Sequence, residues 1–162
     1  MIATTVESTI ETLDICKEET ISAPLELVFE ALLEQLGPLN ATGPNSPLPM
    51  KFEPWVGGRW YRDLGDEAGH TRAGHFWGHV QVIKPPTLLE ICGPLCMSYP
   101  AWNHVQYRLS AEDDCTRLTL RHRAIGQIIP EHRDGMPDGW AHELSTIRKI
   151  AENRVSVLDD TL

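Results

Sequence analysis

Between Met50 and Arg123 apolar and polar residues alternate in short runs with the two-residue period of strands, and the flanking segments carry the longer period of helices. Within residues 8–21, the stretch Ile10-Glu11-Thr12-Leu13-Asp14-Ile15 predicts a first strand. A helix start follows at Ser22-Ala23-Pro24-Leu25-Glu26, because proline suits a first turn whose N–H groups have no intrahelical partner. Leu25, Val28, Phe29, Leu32, Leu33 and Leu36 then fall on one apolar stripe, and Gly37-Pro38 ends it. Asn40–Pro49, with three prolines, a glycine and two asparagines, reads as a loop long enough to act as a flap.

Strands are predicted over Lys51–Val56, Arg59–Leu64, Phe76–Lys84 and Leu88–Gly93, divided by Gly57-Gly58, Gly65-Asp66 and Pro85-Pro86. A turn centred on Pro85-Pro86 sets Val82 against Leu89 and Val80 against Ile91, on one face. A hairpin around Ala111–Asp114 sets Leu109 against Leu118, Tyr107 against Leu120 and Val105 against His122. Two hairpins with consistent inner faces predict an antiparallel sheet. Beyond Ile128-Ile129-Pro130 the helical period returns: Trp140, Leu144, Ile147 and Ala151 form a stripe, with Glu143, Arg148 and Lys149 elsewhere on the wheel. Gly135 and Pro137 are expected to split a short first turn from the main helix.

This order predicts an α+β fold: a curved antiparallel sheet wrapped around a long C-terminal helix, with an internal cavity between them. The 162 residues fit one domain, with a core at about 8–155, able to bury about 70% of the unfolded surface. Hydrophobic content of 41% and charged content of 23% suit a soluble protein. The formal net charge of −9 repels phosphate backbones and acidic membranes, and the arginines are scattered, so nucleic acid is not an expected partner. Met1–Glu7 lacks the basic and apolar regions of a signal peptide, and no window reaches the roughly 20 apolar residues of a membrane span. Cys16, Cys92, Cys96 and Cys115 are then expected as reduced thiols in a cytoplasmic protein.

Several strings fall in a recognisable order. Ile21-Ser22-Ala23-Pro24 leads into Val28-Phe29-Glu30-Ala31-Leu32, then come Gly57-Gly58-Arg59-Trp60, Gly78-His79-Val80 and Lys84-Pro85-Pro86-Thr87-Leu88. Thr116-Arg117-Leu118-Thr119-Leu120 and Gly139-Trp140 with Leu144 complete it. From about Ile21 to Ala151 the chain resembles the activator-of-heat-shock-protein-90-ATPase homologue family. That family lies within the START-like, birch-pollen-allergen-like helix-grip superfamily. The resemblance implies the helix-grip fold and its cavity. It also implies a ligand of the lipid, sterol or polyketide kind, since superfamily members bind such compounds and some cyclise or dehydrate polyketides.

His122 is the ionisable residue of most interest, because the hairpin register puts it on the inner face with Val105, Tyr107, Leu118 and Leu120. An imidazole in apolar surroundings tends to stay neutral; a buried, satisfied histidine is the favoured reading over a general acid or base partnered by Tyr107. Asn103 shares that face and is a candidate to orient a ligand carbonyl. His75 and His79 lie four residues apart, which on a strand separates them by roughly 13 Å, too far for a shared metal. Both take the parity of Trp77, predicted outward, opposite to Phe76, Val80 and Val82. Cys92 and Cys96 lack a second ligand pair and read as ordinary thiols. Asp66-Glu67 and Asp113-Asp114 fall in predicted turns, and no nucleophile elbow or phosphate-binding glycine loop occurs.

Trp55, Trp60, Phe76, Tyr99, Trp102, Tyr107 and Trp140 are expected to face or rim the cavity, and Arg62 shares strand parity with Trp60. The predicted ligand wall comprises Trp60, Phe76, Val80, Val82, Leu89 and Ile91 from the earlier strands. Asn103, Val105, Tyr107, Leu118, Leu120 and His122 complete the sheet side, and Trp140 and Leu144 the helix side. The expected function is non-catalytic binding of a small apolar or amphipathic molecule, with no cofactor, no metal and no stable membrane insertion. A homodimer is compatible with it. The alternatives are a polyketide cyclase or dehydratase-like enzyme using His122, and a protein-interaction module of the chaperone ATPase activator type with a filled core.

Overall fold

The computed structural model describes residues 8–43, 45–65, 69 and 72–161. The expectations for Met1–Glu7 and for Asp66-Glu67 lie outside the described residues. Seven strands form one antiparallel sheet: β1 (Glu11–Ile21), β4 (Lys51–Phe52), β5 (Arg59–Asp63), β6 (Gly74–Lys84), β7 (Leu88–Gly93), β8 (Ala101–Glu112) and β9 (Cys115–Gly126). Their order is β1-β9-β8-β7-β6-β5-β4, so a meander is closed at one edge by the first strand pairing with the last. Two helices, α1 (Leu25–Leu36) and α2 (Pro130–Asp159), cover the inner face.

α1 forms where the stripe predicts, burying Val28, Phe29, Leu32 and Leu36. α2 buries Trp140, Leu144, Ile147 and Ala151, and packs against α1 and β1. The sheet contributes Ile15, Val80, Leu89, Ile91, Val105, Tyr107, Leu109, Leu118 and Leu120 to the same core. Arg148 pairs with Glu19 of β1 at 2.5 Å, and Arg154 pairs with Glu34 of α1, pinning the second half of α2 at the surface.

The β8–β9 hairpin has the predicted register, with Leu109 opposite Leu118, Tyr107 opposite Leu120 and Val105 opposite His122. The β6–β7 pair departs from it. Val80 does face Ile91, but Val82 faces Glu90 and Ile83 faces Leu89. The connection spans Pro85-Pro86-Thr87, closed by the Thr87 N–H on the Lys84 carbonyl at 2.8 Å, and a bulge at Gln81 absorbs the extra residue. Val82 is thereby turned off the inner face.

A second bulge lies between β5 and β6. Trp60 opposes Gly78 and Tyr61 opposes Phe76, so Trp77 is the extra residue. It reverses the predicted parity: Trp77 packs against the core, while Phe76 is 38% exposed. Gly78 allows this, since a Cβ there would lie 2.7 Å from the Cys92 carbonyl oxygen.

Three element boundaries also differ from expectation. Within Asn40–Pro49 a short ribbon forms from β2 (Ala41–Gly43) and β3 (Ser46–Pro47). It is tied down by the Leu48 N–H on the Asn40 carbonyl at 2.9 Å. The predicted Lys51–Val56 strand pairs only at Lys51 and Phe52, because the Glu53 carboxylate turns back to take the Arg59 backbone N–H and guanidinium. Trp55 is left exposed on that turn. Finally, α2 is one continuous 30-residue helix through Gly135 and Pro137. Its first turns are held from outside: the Tyr99 hydroxyl bonds His132 Nδ1 at 2.7 Å, the two rings stack, and Met136 packs on the core.

Candidate functional site

Where α2 leaves the sheet near its first turns, a cavity of about 200 Å³ opens between helix, sheet and ribbon. Trp60 and Trp77 form the sheet wall, with ring centroids 5.0 Å apart and planes at 73°. The Trp60 indole N–H donates to the Leu36 carbonyl over 2.7 Å, which anchors this wall to the C-terminus of α1. Met136, Gly139, Trp140, His142 and Glu143 form the helix wall. Asn40, Ala41 and Leu48 of the ribbon segment and Cys96 complete the lining.

Among the described residues Glu143 is the one carboxyl of this lining, and it is only 8% exposed. Tyr107, fully buried on β8, donates its hydroxyl to Glu143 Oε1 at 2.5 Å. Burial pushes the Glu143 carboxyl up to about 7, with the Tyr107 hydrogen bond opposing it. The Tyr107 phenol is raised well above its ordinary value by burial and by the neighbouring carboxyl. A carboxyl poised near neutrality can hold or move a proton at Oε1 or Oε2.

His122 has the opposite character. Trp140 donates its indole N–H to His122 Nδ1 at 3.0 Å, so Nε2 carries the proton and donates to Asn103 Oδ1 at 2.7 Å. The Asn103 amide donates in turn to the Pro94 carbonyl at 3.1 Å. The side-chain polar atoms of His122 and Asn103 thus all have protein partners. Burial, aided by the charge of His104, lowers the His122 imidazole to about 4. Tyr107 is not its partner; that hydroxyl is engaged by Glu143.

Of the residues predicted to contact a ligand, Trp60 and Trp140 line the cavity. Val80, Leu89, Ile91, Val105, Leu118, Leu120 and Leu144 are packed core. Asn103, Tyr107 and His122 are buried in the hydrogen bonds just described. Val82 pairs with Glu90, and Phe76 lies outward against the His79 ring. Among the remaining aromatics Trp102 is exposed and Tyr99 stacks on His132. Arg62 belongs to a surface depression with Tyr61 and His75. His75 accepts the Trp77 indole N–H and His79 bonds the Gly57 carbonyl, so each imidazole has its own partner. All four cysteines are free thiols, and burial raises Cys92 and Cys96.

Glu143 and Trp77 were not selected from the sequence, although each left a signal. Glu143 sits three residues after Trp140 and four before Ile147, within the apolar stripe of α2. A carboxyl in such a stripe needs a buried partner, and Tyr107 supplies it. Trp77 precedes Gly78, and a glycine inside a strand marks a bulge that reverses parity.

Solved structures of similar fold include a protein from Rhizobium leguminosarum, with a TM-score of 0.72 and 15% identity over 91% of this chain and 99% of that one. A protein of unknown function from Staphylococcus aureus gives 0.67 and 12%, covering 91% and 98%. CalU16 from Micromonospora echinospora gives 0.59 and 18%, covering 96% and 91%. No curated protein sequence matches the chain. At these identities the structures show the helix-grip fold alone. The sequence pattern of the activator of Hsp90 ATPase homolog 1-like proteins matches residues 22–152, which take in both helices' packing faces and every strand from β4 to β9. On that match and that fold, the chain belongs to the activator of Hsp90 ATPase homolog 1-like family.

Proposed function

We propose that this protein binds a compact, mostly apolar or amphipathic molecule between α2 and the sheet, without transforming it. The observation that carries this reading is the cavity itself, walled by Trp60, Trp77, Trp140, Leu48 and Met136 around one buried carboxyl. Pockets for drug-sized ligands run ~300–1,000 Å³. At about 200 Å³ the site suits a ring-sized molecule better than an acyl chain or sterol. Affinity would come from apolar burial, ~25 cal/mol per Å². Orientation would come from Glu143, with Tyr107, His122 and Asn103 holding the wall behind it. The ribbon at Asn40–Pro49 is the proposed gate.

Native mass spectrometry of gently purified protein, followed by solvent extraction, tests this reading. The expected result is a discrete added mass released on denaturation. A bare chain that also takes up no small aromatic probe would sink it.

A second reading, an enzyme of the polyketide cyclase or dehydratase type, is favoured by one observation: a buried carboxyl, Glu143, lines the cavity with the Tyr107 hydroxyl bonded to it. In that case Glu143, not His122, is the proton-transfer group. Chemical change of the extracted compound by wild type but not by Glu143→Gln would favour it.

A further inference from the structure

The charges around the cavity restrict its occupant. Among the described residues, none of the lining is lysine or arginine; the ionisable ones are Cys96, His142 and Glu143. A carboxylate or phosphate placed here would face Glu143 in a low-dielectric space with no lysine or arginine beside it, so a fatty acid or phosphorylated ligand fits poorly. Glu143 itself is incompletely partnered. Oε1 receives the Tyr107 hydroxyl at 2.5 Å. Among the described residues, Oε2 receives no donor. A carboxylate in such a space gains from a positive partner, and among the described residues no lysine or arginine lines the cavity.

The walls supply the second half of a cation site. Trp60, Trp77 and Trp140 line the same space as Glu143. Tryptophan is the aromatic side chain that attracts cations most strongly, and desolvation strengthens that attraction. Resting on the binding function proposed above, we infer that the ligand carries a protonated nitrogen, placed between the Glu143 carboxylate and the indoles of Trp60, Trp77 and Trp140. The ammonium donates to Oε2, the indoles surround its other sides, and a small apolar body fills the remaining volume.

Three probes of one shape and different charge test this: benzylamine, benzyl alcohol and benzoate, titrated into the full chain by calorimetry at pH 7. Benzylamine is expected to bind at least about tenfold more tightly than benzyl alcohol, and benzoate more weakly than both. In Glu143→Gln the advantage of benzylamine over benzyl alcohol should disappear. Benzyl alcohol binding with no gain for benzylamine overturns this inference and leaves the binding reading standing. An advantage that survives in Glu143→Gln overturns it as well. Failure of all three probes overturns both. If Glu143→Gln does not fold, the order of the three probes on the wild-type chain decides the matter alone.

Discussion

Trp140 of α2 donates its indole N–H to Nδ1 of His122 on β9 across 3.0 Å, and this bond fixes the imidazole as its Nε2–H tautomer. The ring is a spacer between helix and sheet. Replacing it by alanine strands the Trp140 N–H and Asn103 Oδ1 without partners, each costing about 1–3 kcal/mol, and leaves a void. His122→Ala is therefore expected to lower the unfolding free energy by about 3–5 kcal/mol, read from urea midpoints at constant slope. An unchanged midpoint would refute the spacer role.

His122 and Glu143 give stability opposite pH dependences. The His122 value falls on folding from 6.5 to about 4, so the unfolded chain binds the extra proton between them, and stability is lost as pH falls through that window. The Glu143 value rises from 4.5 to about 7, so stability is lost as pH rises through that window. Tyr107 bonds Glu143, His142 and Cys96 line the same cavity, and His122 beyond Trp140 stays neutral over most of the range. Between about 4.5 and 6.5 the two slopes oppose each other. Glu143→Gln should remove one of them, so that its stability relative to wild type rises by about 3 kcal/mol between pH 4.5 and 7. Parallel urea midpoint curves for the two proteins across that range would contradict the burial of an ionisable Glu143.

Two glycine-to-alanine changes should act in opposite directions. At Gly78 a Cβ meets the Cys92 carbonyl oxygen at 2.7 Å, backbone that cannot yield cheaply, and a loss of about 1–3 kcal/mol is expected. At Gly135, inside α2, a Cβ meets nothing within 4 Å, and removing glycine's unfolded freedom should stabilise by about 0.5–1 kcal/mol. Thermal melts of both variants against wild type check the pair. Destabilisation at Gly135 would argue against a continuous helix through Pro137.

Trp60 anchors the cavity wall to α1 through its indole N–H on the Leu36 carbonyl. Trp60→Phe keeps an aromatic ring but strands that carbonyl at the helix end, a cost of about 1–2 kcal/mol. Binding of the benzyl probes should also weaken, since the wall loses its tether. A variant equal to wild type in both melting and probe affinity would remove Trp60 from the site.

The sequence by itself determined the elements whose periodicity is uninterrupted. The α1 stripe, the β8–β9 register and the Trp140-Leu144-Ile147-Ala151 face were legible because burial on one side imposes a strict period. The helix-grip fold and its family followed from their order. Tertiary structure decided what a period cannot carry. The bulges at Trp77 and Gln81 reverse parity by one residue each, exchanging Phe76 for Trp77 in the wall and taking Val82 off it. Pro137 stays helical because Tyr99 and the core hold the turns around it, contacts remote in sequence. Glu143 became the carboxyl of the site because Tyr107, on a strand far away in the chain, meets it in the interior. A buried polar group is legible from sequence only when its partner is near in sequence, and here the partner is 36 residues away.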